Sequence, residues 1–183
     1  MRLPAGLNNN GLEIYRDPEG RVRVIQNGNR TEYLELPLVL REPFQAELIA
    51  DQDARNTLIN DLRITNADEM EEMFVGCRYG TLDSHPDLKD GHLTHDLPVC
   101  DKMKTCPAFG KVCKQPEGPG GKLSRTQYLI AIEVAKGKLD KEITEEFQIE
   151  LPTVRTHLNR IREKLNVNNR IEIALWTQRH SIV

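Results

Sequence analysis

The chain has 183 residues, 38% hydrophobic, 29% charged and 5% aromatic, which suits one ordinary domain or two small ones and argues against a disordered tail. No apolar run approaches the roughly 20 residues of a membrane helix, and the first residues lack a signal-peptide core, so a cytoplasmic location is expected. The net charge of −3 hides an asymmetry: residues 120–183 carry 11 Lys/Arg against 8 Asp/Glu, and residues 1–119 carry 14 against 20, so a basic module follows an acidic one, a layout compatible with a nucleic-acid partner.

Residues 1–11 are polar and are expected to fray. Leu12-Glu13-Ile14-Tyr15 and Arg21-Val22-Arg23-Val24-Ile25 alternate apolar positions around Asp17-Pro18-Glu19-Gly20, a turn signature, and predict a β-hairpin. Asn27-Gly28 marks a second turn, and Tyr33-Leu34-Glu35-Leu36 a further short strand. From Pro43 to about Leu62 the spacing turns helical, through Phe44, Leu48, Ile49, Leu58 and Leu62, with Asp51 or Asp53 able to cap a second, shorter helix. Asn66 and Glu69 resemble a capping box leading into Met70, Met73 and Phe74, which are expected in the core; Gly76 is expected to end that helix.

Residues 81–121 are rich in Asp, His, Gly, Pro and Lys and poor in periodic apolar positions. They cannot close a hydrophobic core of their own, so something other than packing is expected to hold them. All four cysteines lie in or just before this stretch: Cys77, Cys100, Cys106 and Cys113, with 22, 5 and 6 residues between them. Four thiolates suffice for a tetrahedral structural zinc or for an iron–sulfur cluster. Zinc is the first expectation and iron–sulfur the second, although no Cys-x2-Cys or Cys-x4-Cys knuckle occurs. His85, His92 or His95 could replace Cys77, and a plainly buried Cys77 thiol is the alternative to ligation. Glu117-Gly118-Pro119-Gly120-Gly121 reads as a linker.

Beyond it, Ser124 can cap a helix through Ile130, Ala131 and Val134 that Gly137 ends. A second helix runs from about Asp140, a candidate cap, through Ile143 to Phe147. A third spans residues 151–165, with Pro152 in its first turn and Val154, Leu158, Ile161 and Leu165 as one apolar stripe. Asn168 or Asn169 caps a fourth, containing Ile171, Ile173, Ala174 and Trp176. The other face of the third helix carries Thr153, Arg155, Thr156, Asn159, Arg160 and Arg162, side chains able to reach base edges or phosphates.

Leu123-Ser124, Ala135-Lys136-Gly137, Asp140-Lys141-Glu142-Ile143, Phe147-Gln148-Ile149, Thr153-Val154-Arg155-Thr156-His157-Leu158, Ile161-Arg162-Glu163-Lys164-Leu165 and Asn169-Arg170-Ile171-Glu172-Ile173-Ala174 follow one another with unbroken spacing. This series strongly resembles the LuxR-type helix-turn-helix domain of bacterial transcription regulators, over roughly residues 123–177. The resemblance implies that the third helix enters the major groove of double-stranded DNA. It implies that Arg155, Thr156 and Asn159 face bases, with Thr153, Arg160 and Lys164 completing the DNA-binding set. It further implies dimer contacts on the fourth helix, at Glu172, Ile173 and Trp176, and a role for His157 in helix packing or in a contact on the DNA-backbone side, not in catalysis. Thr126 and Gln127 replace the family's usual Arg-Glu pair, Glu133 stands at a usually apolar position, and Glu150 replaces the usual capping serine.

The expected fold class is therefore α+β. An N-terminal α+β segment (1–76) leads to a Cys-rich, metal-binding region (77–116) and a linker (117–122). An all-α four-helix helix-turn-helix domain (123–183) follows. The expected function is that of a DNA-binding transcription regulator acting as a homodimer. The alternative is an accessory interaction or mobile-element factor that keeps the fold with weak DNA binding. Asp83, His85, Asp87, His92, His95 and Asp96 lack the ordered spacing of a hydrolytic metal motif, and no enzymatic activity is expected.

Overall fold

In the computed structural model, which describes residues 3–7 and 11–180, the N-terminal alternation forms the expected hairpin. Strand β1 (Leu12–Arg16) pairs antiparallel with β2 (Val22–Gln26). Asn27 and Gly28 both take positive φ, which gives a tight turn into β3 (Asn29–Glu32). The expected strand at residues 33–36 is instead a single 3-10 turn, Tyr33–Glu35, whose Tyr33 ring is buried. The fraying expected at residues 1–2 and 8–10 lies outside the described residues. Residues 3–7 are tied down: the Ala5 amide donates to the Asp83 carbonyl at 2.8 Å, and its side chain is buried.

Three helices follow. The first, α1 (Leu38–Ala50), is succeeded by α2 (Gln52–Asn56), for which Asp51 is the cap: its Oδ1 accepts from the Ala54 amide at 2.9 Å. After a widened turn at Thr57–Asp61, α3 (Ala67–Arg78) starts on Asn66, whose Oδ1 accepts from the Glu69 amide at 3.0 Å. Gly76 does not end this helix. It lies inside it because Arg16 crosses there: a Cβ at residue 76 would meet the Arg16 guanidinium at 2.5 Å, and Arg16 Nε donates to the Gly76 carbonyl at 2.9 Å.

Residues 81–97 are ordered against the sheet. Strands β4 (Leu88–Lys89) and β5 (His92–Leu93) extend it to the order β3-β2-β1-β4-β5, antiparallel throughout. They therefore sit on the β1 edge, and β1 loses its alternation: Leu12, Glu13 and Ile14 are all buried. Side-chain carboxyl groups make the attachment. Asp87 Oδ2 accepts from the Ile14 amide at 2.6 Å, Glu13 accepts from the Asp83 amide at 2.7 Å, and Asp96 Oδ2 accepts from the Thr81 amide at 2.7 Å. Burial and the neighbouring carboxylates push Glu13 up to about 9 and Asp96 up to about 8; Asp87 is raised for the same reasons.

Around these elements Leu12, Ile14, Val24, Tyr33, Phe44, Leu58, Phe74, Val75 and Tyr79 make one core, with Met70 and Met73 at its margin. Two ion networks thread it. Glu71 accepts from Tyr33 Oη (2.8 Å), Arg41 (2.9 and 2.6 Å) and Gln45 (2.9 Å). Arg78, fully buried, donates to Glu47 (2.7 Å), Asp51 (2.8 Å) and the carbonyls of Val112 (2.9 Å) and Lys111 (3.2 Å). Ala108 and Val112 of the Cys-rich stretch join the same core.

The chain divides into two compact units, Met1–Cys100 with Thr105–Lys114, and Asp101–Lys104 with Gln115–Val183. All four cysteines and most of the Cys-rich region thus lie in the first unit, with Asp101–Lys104 in the second. The expected linker is likewise folded. Strands β6 (Glu117–Gly118) and β7 (Gly121–Lys122) form a small hairpin within the second unit.

Candidate nucleic-acid interface

Four helices build the second unit. Ser124 caps α4 (Arg125–Ala135) in a reciprocal box with Gln127, and the helix stops as Gly137 turns to positive φ. Helix α5 (Asp140–Phe147) begins at Leu139, whose amide donates to Glu142 at 2.6 Å. Asp140, the expected cap, is instead ion-paired with Arg170. Gln148 in the left-handed conformation, Ile149 and Glu150 make a three-residue turn into α6 (Leu151–Leu165). Asn169 caps α7 (Arg170–His180), accepting from the Glu172 amide at 3.0 Å.

Helix α6 is two-faced. Val154, Ile161 and Leu165 are buried and Leu158 is half-buried, which fixes the helix against the rest of the unit. That anchoring turns Thr153, Arg155, Thr156, Asn159 and Arg160 outward together, and all five are exposed. Their hydrogen bonding differs. Thr156 Oγ1 donates back to the Pro152 carbonyl at 2.9 Å, so its methyl and its lone pairs are what it offers. Asn159 Oδ1 accepts from Arg162, whose guanidinium also donates to the Asn168 carbonyl at 3.3 Å. Arg155 and Arg160 carry the exposed positive charge of the face, whereas Lys136 and Lys138 pair with the buried Glu133 at 2.9 and 2.6 Å.

Lys164 is placed differently from the others. Its ammonium donates to the Lys122 carbonyl at 2.7 Å and to Gln127 Oε1 at 2.9 Å, clamping β7 and α4 to the end of α6. One donor of three remains for a phosphate. Glu150 is exposed at the N-terminus of α6 and makes no side-chain cap bond. His157 is half-buried; burial and the neighbouring Arg160 charge hold its imidazole below the usual range, so it is neutral at pH 7.

On α7 the expected dimer contacts are redistributed. Ile173 is buried inside the unit's own core, and Glu172 accepts from the Asn168 amide and Asn169 Nδ2, both at 2.8 Å. The apolar side chains turned to solvent are Ile171, 71% exposed, and Leu175, 45% exposed, one turn apart. Their i, i+4 spacing was readable in the sequence, but Ile173 between them carries the same residue type and masks it.

The metal candidates all fall in the first unit. Cys77 and Cys106 are half-buried, Cys113 is buried, Cys100 is exposed, and no disulfide joins them. The histidines are engaged elsewhere or set apart: His95 Nε2 lies 2.6 Å from Glu47, His85 lies 3.5 Å from Asp83, and His92 is exposed on β5.

A profile described as "GerE: Bacterial regulatory proteins, luxR family" matches residues 121–177. The "Transcriptional regulatory protein LiaR" of Bacillus subtilis (strain 168) is 37% identical over 65 residues, 36% of this chain and 31% of that protein, so the match spans under a third of the relative's length. Among solved structures, "SdiA in complex with octanoyl-rac-glycerol" aligns over 93% of this chain and 80% of that one at 15% identity, with a TM-score of 0.33, too slight to carry an argument. No helix among the described residues is long and apolar enough to cross a membrane. The C-terminal third of the chain, residues 121–177, is a LuxR-family helix-turn-helix domain.

Proposed function

We propose that the chain is a DNA-binding transcription regulator that inserts α6 into the major groove of a double-stranded operator. The observation that carries this reading is the outward face of α6. Thr153, Arg155, Thr156, Asn159 and Arg160 are exposed together on a helix whose opposite face is locked into a LuxR-family domain. Arg155 and Asn159 have the donors to read base edges, Thr153 and Arg160 to hold phosphates, and Lys164 positions the end of the helix. A homodimer on a two-fold site belongs to the same reading, with Ile171 and Leu175 as the apolar pair that a second copy would cover.

The test is selection of bound duplexes from a random pool by the full chain, followed by titration of the winning sequence at several salt concentrations. An affinity that falls steeply with salt, together with one enriched motif, supports the reading. Salt-independent binding, or a pool that never enriches, would sink it. Ile171→Glu with Leu175→Glu should convert a dimer to a monomer in sedimentation; unchanged mass would remove α7 from the interface.

A further inference from the structure

The stretch that carries three of the cysteines is short of apolar material yet precisely routed. Two successive turns, with Val112 donating to the Ala108 carbonyl at 2.9 Å and Gly110 to the Cys113 carbonyl at 3.0 Å, fold residues 108–113 back on themselves. Arg78, the residue after Cys77, pins this loop to the end of α3 through the carbonyls of Lys111 and Val112. Cys77 and Cys106 pack against the core into which Ala108 and Val112 are inserted. Three positions far apart in sequence therefore meet at the C-terminal end of one helix.

The thiols are close enough to feel one another's charge. Cys113 is within electrostatic reach of Cys77, Cys106 and Cys100, and Cys77 of Cys106 and Cys100. They are not, however, gathered on one point: among the described residues no three Cys, His, Asp or Glu side chains are grouped to hold a single ion. A tetrahedral zinc with bonds of about 2.3 Å needs its four sulfurs only about 3.8 Å apart. A cubane places each thiolate on a different iron and so requires four sulfurs that are neighbours at wider spacing.

One positive charge is already in place beside the site. Arg16 Nη2 lies 3.9 Å from Cys77 Sγ, a fixed positive charge against the first ligand. Coordination to a metal removes the thiol proton. The spacing of 5 and 6 residues between the last three cysteines, with Pro107 directly after Cys106, gives the loop enough chain to reach separate corners.

We propose that Cys77, Cys100, Cys106 and Cys113 hold a [4Fe–4S] cluster, one thiolate on each iron, with Arg16 balancing its charge. Binding releases the four thiol protons and leaves the ligand sulfurs unoxidised. The exposed Cys100 gives the cluster one corner at the surface, and the buried Cys113 gives it one against the core.

The experiment is purification of the full chain without oxygen, with iron, labile sulfide and zinc measured alongside the visible spectrum. The expected result is iron and sulfide near four each per chain, with a broad brown absorption. Cys100→Ser should lose most of that colour while keeping its far-ultraviolet circular dichroism, because residue 100 is exposed and contributes little to the fold. His92→Ala should keep the colour. If the protein arrives without metal, anaerobic incubation of the folded chain with ferric iron, sulfide and excess thiol, which reduces half of the iron, should generate the same spectrum. One zinc per chain without colour would overturn the cluster and return the site to a single ion. A folded chain that gains no absorption on reconstitution, or one whose colour survives Cys100→Ser and Cys113→Ser, would overturn it equally.

Discussion

The two units solve the same packing problem with different chemistry. The second is held by apolar stripes: Val154, Ile161 and Leu165 of α6, Ile130, Ala131 and Val134 of α4 and Ile143 of α5 are all buried, and its buried Glu133 is paired with two lysines that reach the surface. The first has an apolar core too, but buried ion pairs and buried carboxyl groups complete it. Arg78 and the Arg41–Glu71 pair replace what aliphatic side chains do in the second, and Glu13, Asp87 and Asp96 attach an otherwise polar segment to β1. The difference matters because apolar packing tolerates approximate substitutes, whereas a buried charge needs partners at fixed positions.

The largest expected effect follows from that contrast. Arg78→Ala takes the shared guanidinium from Glu47 and Asp51 and frees the loop carbonyls, and should cost the first unit about 3–5 kcal/mol. Arg78→Lys should recover little, because one ammonium cannot reproduce a guanidinium fork. By comparison Ile161→Val in the second unit should cost only about 0.5–1.5 kcal/mol. Denaturant melts of each variant decide it; equal losses for Arg78→Lys and Ile161→Val would erase the distinction.

Arg155→Ala should weaken binding to the selected duplex by about 1–3 kcal/mol and relax base preference at one position, with no change in melting. A stability loss of the same size instead would place Arg155 in the fold of the second unit and not at its surface. Acidity should separate the units as well. Glu13, held at about 9, and Asp96, at about 8, are protonated when folded at neutral pH. Their folded values lie above the unfolded ones, so their stabilisation is complete below about pH 4 and is lost as pH rises through 8 and 9. Glu47, held down to about 2 by His95, Tyr79 and Arg78 against the cost of its burial, acts in the opposite sense and loses its contribution as pH falls through about 4 toward 2. Calorimetry should show the first unit melting earlier at pH 9 than at pH 6, a difference that Glu13→Gln reduces; an unchanged slope would remove Glu13 as its source. The smallest effect is Glu150→Ser, which removes a carboxylate from the N-terminus of α6. It should raise DNA affinity a few-fold at low salt and less at high salt; no change would mean that Glu150 stands away from the backbone.

The same contrast governs how much could be read from the residues. In the second unit α4, α5 and α6 each have an apolar stripe and a stop, so a helix over about residues 151–165 was legible in the sequence, and the outward set on α6 came with it. Lys164 was the exception, since nothing local reveals that its ammonium reaches back to Lys122 and Gln127. In the first unit the hairpin and the capped start at Asn66 were legible for the same reasons. The strands at Leu88 and His92 were not, because two-residue elements have no period. Glu13 alternates like a solvent-facing residue, and only the covering segment, more than 65 positions away, makes it buried. Gly76 looked like a helix stop because the long-range approach of Arg16 leaves no mark in its own neighbourhood.

The hairpin of β6 and β7 has a practical bearing on where the second unit can be cut. A Cβ at Gly118 would meet the Lys164 carbonyl at 2.4 Å, and one at Gly120 the Glu163 carbonyl at 2.4 Å, so both strands lie flush on the last turn of α6. The Gly120 amide donates to that same Lys164 carbonyl at 2.7 Å, and Gln115 Nε2 bonds to the Leu123 carbonyl. An excised fragment beginning at Leu123, where the helical pattern starts, would expose the end of α6. One beginning at Gln115 would carry its own clasp, and limited proteolysis should leave that longer piece.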